Sequence, residues 1–344
     1  MTMKLGQILI VIISMWASLA IAQPELKNGH PQRYVVVEGD TLWGISSKFL
    51  NEPWLWPEIW QANRQILNPH LIYPGDTLNL VYIEGRPQLV IQRGEGSNTT
   101  KLSPGARITS NSRAIPAIPL EKIAVFMRES RIVEPESLED APYVLAGGKG
   151  HILLGAGDQL YARGVFEEGQ NSFGIYREGT IYKNPETKEI LGMHAEAVGR
   201  TRLVALDGEV ATMNVLSTTG DARMGDRLLP LQERRLTAVY QPTGPENKEL
   251  SGQIIDVASG VSQIGKLDIV MINLGSREGI KEGNVMGVNK LGETVRDPVQ
   301  GGKIKLPDER AGLLMFFRVY EKMSYGLVLD SSRPLSLGDT VTAP

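Results

Sequence analysis

The spacing of hydrophobic positions predicts a small mixed module near the N-terminus. β-Branched residues at 34–37 predict a strand, and the apolar residues at 42, 45 and 49 recur at the spacing of one helix face. A second helix is predicted to begin at Pro57, because proline at the first helical position lacks only an N–H that has no partner there. The alternation at residues 77–80 predicts a second strand. Residues 33–82 are therefore predicted to fold as strand, helix, helix, strand.

A different pattern begins near residue 141, where short β-rich runs are separated by glycine-containing turns. That pattern is typical of barrels and sandwiches. Residues 83–140 are predicted to be a linker rich in Pro, Gly, Ser and Asn, with one short amphipathic helix that carries Leu120, Ile123 and Met127 on one face. The predicted fold class is α+β and all-β multidomain: a small N-terminal β-α-α-β module, then a β-rich region of two similar barrel- or sandwich-like units.

Self-comparison indicates an internal repeat within the β-rich region. Two segments of the first copy, 158–164 and 174–179, parallel two segments of the second copy, 268–275 and 287–292. Each copy then ends near a glycine-aspartate turn, at 225–226 and at 338–339. The repeat predicts two β units, which we place at residues 141–240 and 250–344.

Composition excludes several classes of protein. A chain of 344 residues is longer than one hydrophobic core usually supports, so more than one domain is expected. The 36 Lys and Arg residues are balanced by 39 Asp and Glu residues, and a net charge of -3 argues against a dedicated nucleic-acid-binding protein. The absence of cysteine excludes disulfides, thiolate zinc sites, a lipidated cysteine and cysteine nucleophiles.

The first 22 residues have the pattern of an export signal. Lys4 precedes an apolar run, and Ala20, Ile21 and Ala22 form a small-x-small cleavage site. We therefore predict a signal peptide at residues 1–22, with an uncleaved membrane anchor as the alternative. No later run is long and apolar enough to predict a membrane span after signal cleavage.

The sequence offers little catalytic chemistry. The four histidines show no i,i+4 pair and no spacing typical of a zinc-dependent hydrolase, so we expect no metal and no cofactor. Glu136 and the pair Glu167 and Glu168 are conceivable general acids, but carboxylates on the loops of a β protein are usually solvated. We therefore predict no catalytic residues and expect that the protein is not an enzyme.

Two separated blocks of the N-terminal module resemble the LysM domain. Residues 34–45 have the sequence YVVVEGDTLWGI, and residues 68–78 have the sequence NPHLIYPGDTL. The resemblance covers about 50 residues and implies a β-α-α-β fold that binds polymers containing N-acetylglucosamine: peptidoglycan in bacteria and chitin in some relatives.

The resemblance also implies a glycan-binding groove between the loop after the first strand and the loop before the second. The matching positions are Gly39, Asp40, Thr41, Leu42, Asn68, Pro69, His70, Leu71 and Ile72. Backbone groups of these loops are expected to bind the N-acetyl group, with Leu42 or Ile72 against its methyl group. His70 departs from the family pattern, in which a small polar residue is more usual.

Several residues of the module also have a structural interpretation. Trp43 and Trp60 are interpreted as core residues, because a module this small needs large side chains to close a core. The roles of Trp54 and Trp56 stay open between core and ligand contact. The Asp40 carboxylate is interpreted as a turn or capping group rather than a sugar ligand.

Three functions remain under consideration. The leading hypothesis is an exported, periplasmic, cell-wall-associated protein that binds peptidoglycan and presents its β units to another envelope protein. The second is an envelope scaffold whose LysM-like module no longer binds glycan. The third is a cell-wall hydrolase with an unrecognised β catalytic unit.

Overall fold

The computed structural model describes residues 24–60, 72–93, 118, 123, 126, 130–167, 169–231, 240, 242–258, 260 and 263–344. The chain forms two compact units, Met1–Arg113 and Ala114–Pro344. The predicted signal peptide, residues 1–22, lies outside the described residues. Within the described residues, no helix combines the length and the apolar character needed to cross a membrane.

The first unit contains a small antiparallel sheet and two short helices. Its strands are β1 (Arg33–Val35), β2 (Thr77–Ile83) and β3 (Arg86–Gln92). Its α-helices are α1 (Leu42–Phe49) and α2 (Trp56–Ile59), and a 3-10 turn (Pro53–Leu55) lies between them. The sheet order is β1-β2-β3. The predicted order of strand, helix, helix and strand is thus present, followed by a third strand.

Helix α1 begins where the sequence supplies a capping group. The Thr41 hydroxyl accepts a hydrogen bond from the Gly44 N–H at 3.0 Å, which satisfies one of the free donors of the first turn. Leu42, Ile45 and Phe49 are buried on one face of the helix. The helix is short, so this packing contributes more to its stability than intrinsic helix propensity does.

Strand β3 lies in the segment that was predicted to be a linker. The first unit therefore continues past residue 82, where the module was predicted to end. Strand β3 pairs with β2 along its whole length through a tight turn at Glu84 and Gly85, both of which have positive φ. Leu89 and Ile91 of β3 are buried. The dipeptide Glu-Gly is a weaker signal for a β-hairpin than Asn-Gly is. Proline at position 87 also argues against a strand at this point of the sequence.

The second unit consists of two six-stranded barrels. One strand, β4 (Ser130–Val133), and one helix, α3 (Pro135–Glu139), precede them. Barrel 1 comprises β5 (Tyr143–Gly147), β6 (Gln159–Arg163), β7 (Ser172–Lys183), β8 (Ile190–Asp207), β9 (Val210–Thr218) and β10 (Arg227–Pro230). Barrel 2 comprises β11 (Ser251–Val257), β12 (Ile269–Ile272), β13 (Val285–Lys290), β16 (Glu309–Val319), β17 (Ser324–Ser331) and β18 (Thr340–Thr342). The hairpin β14 (Thr294–Arg296) and β15 (Lys303–Lys305) lies between β13 and β16.

The two barrels have the same strand order. Barrel 1 runs β8-β7-β10-β5-β6-β9 and the ring is completed by pairing of β9 with β8, while barrel 2 closes as β11-β12-β17-β16-β13-β18. In both, the strands follow around the ring as first, second, fifth, fourth, third and sixth. The predicted fold class, a mixed N-terminal module and two similar β units, is confirmed.

Each barrel has its own hydrophobic core. Ile175 and Met213 lie in the core of barrel 1, and Val270 and Phe316 lie in the core of barrel 2. Exposed and buried positions alternate along β6 of barrel 1, as expected for a small barrel filled by side chains, whereas all four residues of β12 in barrel 2 are buried.

A recurring turn closes the loops of both barrels. In barrel 1 the Asp158 carboxylate accepts from the Gly155 N–H at 2.9 Å, and in barrel 2 the Asp268 carboxylate accepts from the Gly265 N–H at 2.8 Å. The residue before the aspartate has positive φ in both turns, yet in barrel 2 that residue is Leu267. A leucine with positive φ has a strained backbone. The turn of barrel 2 therefore differs from the equivalent turn of barrel 1, in which glycine occupies this position.

The segment predicted as a linker also contributes to the second unit. Ile123 and Phe126 are helical, whereas Leu120 and Met127 of the predicted helix lie outside the described residues. The Phe126 ring packs edge-on against Tyr325 of barrel 2 at 4.7 Å between centroids. β4 adds to barrel 1 by pairing with β8, so both ends of the predicted linker contain strands.

Candidate functional site

The loop after β1 is held by the Asp40 carboxylate. This carboxylate accepts from the Val37 N–H at 2.9 Å and from the Tyr34 hydroxyl at 3.0 Å. The Asp40 N–H in turn donates to the Val37 carbonyl at 3.2 Å. Partial burial, together with the bond to Asp40, raises the pKa of Tyr34. The arrangement agrees with the interpretation of Asp40 as a turn residue.

The side chains that follow Asp40 point into the module. The Thr41 hydroxyl caps α1, and Leu42 is buried in the core. Gly39, by contrast, is exposed and has a φ of +89°. This first loop therefore offers a ligand the peptide groups around Gly39 rather than a row of side chains.

The second loop of the predicted groove is only partly described. Asn68, Pro69, His70 and Leu71 lie outside the described residues, whereas Ile72 is fully buried. The chain then turns through Tyr73, Pro74, Gly75 and Asp76. The Asp76 carboxylate accepts from the Tyr73 N–H at 3.0 Å, in the same way that Asp40 closes the first loop.

Backbone hydrogen bonds hold these two loops side by side. The Val36 N–H donates to the Asp76 carbonyl at 2.9 Å, and the Gly75 N–H donates to the Val36 carbonyl at 2.8 Å. The sequence indicated Val36 only as a strand residue, and its role in joining the loops is visible only in the fold. These bonds hold the chain just before the first loop against the turn that ends the second loop.

The tryptophans of the module are mostly part of its core. Trp43, Trp56 and Trp60 are buried, and Trp54 is half-buried. Their burial agrees with the structural interpretation of Trp43 and Trp60 and favours the same role for Trp56. The buried rings of Trp43, Trp56 and Trp60 are therefore not exposed as flat sugar-binding platforms.

The histidines and carboxylates of the second unit are not grouped into a metal site in the part of the chain that the structure describes. No group of three or more His, Asp or Glu side chains there is arranged to hold a metal ion. Glu167 is exposed on a loop of barrel 1, and Glu168 lies outside the described residues. His194 is half-buried on β8, and its burial lowers the pKa of the imidazole.

Comparison with known protein families decides the identity of the N-terminal module. The LysM domain family matches residues 34–81, which include most of β1, both helices and most of β2. This module is a LysM domain. LysM domains are peptidoglycan-binding modules, so the chain carries a module of a kind that binds glycan at the cell wall.

A curated relative is similar to part of the chain. The uncharacterized protein YqbP of Bacillus subtilis (strain 168) is 37% identical over 60 residues, which amount to 14% of this chain and 27% of that protein. The chain thus covers little more than a quarter of the relative that it matches. The matched length is about that of one small module.

Proposed function

We propose that this protein is a non-catalytic, periplasmic peptidoglycan-binding protein. Its LysM groove recognises a glycan that contains N-acetylglucosamine, and it tethers the two-barrel unit to the cell wall. The observation that carries this proposal is the pair of hydrogen bonds between residue 36 and residues 75 and 76, which fixes the chain before the first loop against the turn that ends the second loop.

The geometry suits an amide-bearing sugar. An N-acetyl group has one N–H donor and one carbonyl acceptor, and both can pair with peptide groups of a loop. Gly39 leaves the backbone accessible, because no side chain covers it and no heavy atom lies within 4 Å of its missing Cβ position. Leu42 and Ile72 are buried, so they support the groove floor more than they cover the sugar.

Weak binding by a single groove follows from the same geometry. A small ligand in an open groove recovers little free energy beyond the cost of association. A Kd in the high micromolar to millimolar range is thus the expectation for a short fragment. Tight attachment to the wall then depends on several LysM domains acting together.

Tryptophan fluorescence tests the groove, because four of the five tryptophans lie in residues 43–60. Titration with peptidoglycan fragments is expected to give a saturable change. Gly39→Ala strains a backbone at φ +89°, and Gly338→Ala in barrel 2 is a matched control at φ +87°. Neither added methyl group meets a close heavy atom, so both variants carry similar strain.

The two variants are expected to differ in glycan binding. Gly39→Ala should lower the affinity about 3- to 10-fold, because displacement of the loop misplaces its peptide groups, while Gly338→Ala should leave it unchanged. The proposal fails if the wild-type protein gives no saturable signal at millimolar fragment, or if the two variants bind alike. Loss of all glycan binding would favour the scaffold hypothesis.

A further inference from the structure

A β-hairpin extends from barrel 2 between its third and fourth strands. It is formed by β14 and β15, and residues 297–302 connect the two strands at its tip. All six residues of the two strands are exposed, and they include residues on both faces of the hairpin. Neither face is therefore covered by the described part of the chain. A two-stranded hairpin without such cover is at best marginally stable in water.

Three apolar side chains of this hairpin face solvent. Val295 of β14 and Ile304 of β15 are directly opposite each other, and they are 38% and 51% exposed. Val299 at the tip is 89% exposed, which is the largest value among the exposed large hydrophobic residues of the described chain. The hairpin thus presents an apolar pair on one face and an apolar residue at its end.

The opposite face of the hairpin is cationic. Arg296 and Lys303 are directly opposite each other in the last pair before the tip, and Lys305 is opposite Thr294. Lys305 lies 3.4 Å from the Asp308 carboxylate. Arg296 and Lys303, by contrast, form no ion pair within the described residues.

The charges of this pair work against the folding of the hairpin. Like charges that are directly opposite each other on neighbouring strands repel, and here they are a guanidinium and an ammonium group. An anionic partner placed against both groups removes that repulsion. The pair therefore suits a negatively charged partner better than it suits the isolated hairpin.

The tip of the hairpin is held in one shape by Asp297. Its Oδ1 accepts from the Val299 N–H at 2.8 Å and from the Gln300 N–H at 3.0 Å, and its own N–H donates to the Gly302 carbonyl at 3.1 Å. The two bonds to the carboxylate lower the pKa of Asp297. This carboxylate is therefore occupied within the tip, and an ordered turn presents Val299 to solvent.

The matching hairpin of barrel 1 makes contacts within the chain. It lies between β7 and β8, and its Glu189 carboxylate accepts two hydrogen bonds from the Arg277 guanidinium of barrel 2, at 2.6 and 2.9 Å. Tyr182 of β7 is only 6% exposed, and its hydroxyl bonds to Asp256 of barrel 2. Within the described residues, the β14–β15 hairpin makes no polar contact of this kind with another strand or helix. Its apolar and cationic groups are thus available to a partner.

A membrane surface that contains anionic lipids offers both kinds of contact. Its headgroups carry the negative charge that suits Arg296 and Lys303. The boundary between headgroups and acyl chains accepts apolar side chains such as Val299. A hydrophilic anionic polymer of the wall suits the two cations but gives the exposed valine no apolar phase to enter. The combination of charge and apolar tip therefore favours a lipid surface.

We propose that the β14–β15 hairpin binds reversibly to the surface of a membrane that contains anionic lipids. Val299 enters the boundary between the headgroups and the acyl chains, and Val295 and Ile304 face the surface. The long side chains of Arg296 and Lys303 reach the headgroup phosphates from the other face of the hairpin. The contact places the second unit at a membrane, and it does not depend on glycan binding by the LysM domain.

Flotation with lipid vesicles tests this contact. The protein is used from Gln23 onward, because the apolar segment before it would itself enter a bilayer. It is expected to float with vesicles of phosphatidylglycerol and phosphatidylcholine, and not with vesicles of phosphatidylcholine alone. Raising the NaCl concentration from about 0.1 M to about 0.5 M should weaken binding at least about threefold, since salt screens exposed charges. The net charge of the chain is negative, so it opposes such binding rather than explains it.

Substitutions at the tip and at the cationic pair separate the two parts of the contact. Val299→Asp should weaken binding at least about tenfold, and Lys303→Glu at least about fivefold. Val165→Asp is the matched control for the tip, because Val165 is 87% exposed on a loop of barrel 1. Arg200→Glu, at an exposed position of barrel 1, is the matched control for charge. Both controls should bind as the wild type does.

Several results would overturn the proposal. They are a wild-type protein that does not float with the anionic vesicles, equal binding to the neutral vesicles, and a Val299→Asp variant that binds as tightly as Val165→Asp does. Normal binding by Val299→Asp together with weak binding by Lys303→Glu would assign the hairpin to an anionic polymer instead of a lipid surface.

A label at the tip gives a second measurement, which the cysteine-free sequence makes specific. Val299→Cys that carries the environment-sensitive fluorophore NBD should show brighter, blue-shifted emission with anionic vesicles, because the label leaves water. Val165→Cys with the same label should not change. An unchanged emission at position 299, or equal changes at the two positions, would overturn insertion of the tip whatever the flotation shows.

Discussion

Barrel 1 and barrel 2 have the same strand order but differ in what covers their outer surfaces. Phe317 and Val204 lie at equivalent bulges in the fourth strand of each barrel, β16 and β8. Phe317 packs against Phe126 and is fully buried, whereas Val204 is 58% exposed. The comparison shows that one architecture accommodates two different surfaces. Large aromatic residues stand where the chain covers the barrel, and smaller residues stand where it does not.

The largest expected contrast is between two matching positions of the barrels. Phe317→Ala removes a fully buried ring and is expected to lower the free energy of unfolding by about 3–5 kcal/mol. Val204→Ala at the corresponding exposed position is expected to change it by less than about 0.5 kcal/mol. Urea unfolding of the two variants measures this difference. Similar costs at the two positions would show that the faces are not differently covered.

A second contrast compares the hairpin formed by β7 and β8 in barrel 1 with the hairpin β14–β15 in barrel 2. A Cβ at Gly192 would lie 2.5 Å from Cγ2 of Ile132 on β4, and Gly192 has a φ of +150°. Gly192→Ala is therefore expected to cost about 1–3 kcal/mol through overpacking and backbone strain. Lys305→Ala, at an exposed position of β15, should be nearly neutral. Thermal unfolding of both variants checks the prediction, and a neutral Gly192→Ala would contradict the close approach of β4.

The strained turn of barrel 2 gives a third, smaller contrast with barrel 1. Leu267 has a φ of +70°, and Gly157 occupies the matching turn position in barrel 1 with a φ of +92°. Leu267→Gly is expected to raise the free energy of unfolding by about 1 kcal/mol by removing the strain, and Gly157→Ala is expected to lower it by about 1 kcal/mol. Opposite signs in denaturant unfolding would support the strain, and equal signs would argue against it.

The smallest effect concerns pH. Burial lowers the pKa of His194, so the folded protein favours the neutral imidazole. The unfolded chain therefore binds more protons as the pH falls below about 6.5, and stability is lost as the pH falls from there through the lowered pKa of the folded state. His194→Gln should flatten this part of the stability curve between pH 7 and pH 5. An unchanged slope would show that His194 does not contribute.

Features that depend on local sequence were predictable. The Thr41 cap, the apolar face of α1 and the turn at Asp40 each follow from residues within a few positions, because capping and turn formation are local interactions. The burial of Trp43 and Trp60 was predictable as well, because a module this small needs large side chains to close a core.

Features that depend on distant pairing were not predictable. β4 pairs Val133 with Met193 of β8, and a strand of four residues carries no signal of a partner so far along the chain. The contact of Val36 with Gly75 and Asp76, which positions the candidate groove, likewise depends on the fold.

The most direct test of the proposed function is cosedimentation of the purified protein with intact peptidoglycan sacculi. We expect the wild-type protein and Gly338→Ala to pellet with sacculi, Gly39→Ala to remain mostly in the supernatant, and soluble fragments rich in N-acetylglucosamine to compete. A wild-type protein that stays in the supernatant, or a Gly39→Ala variant that pellets as fully as the wild type, would contradict glycan recognition by the LysM groove.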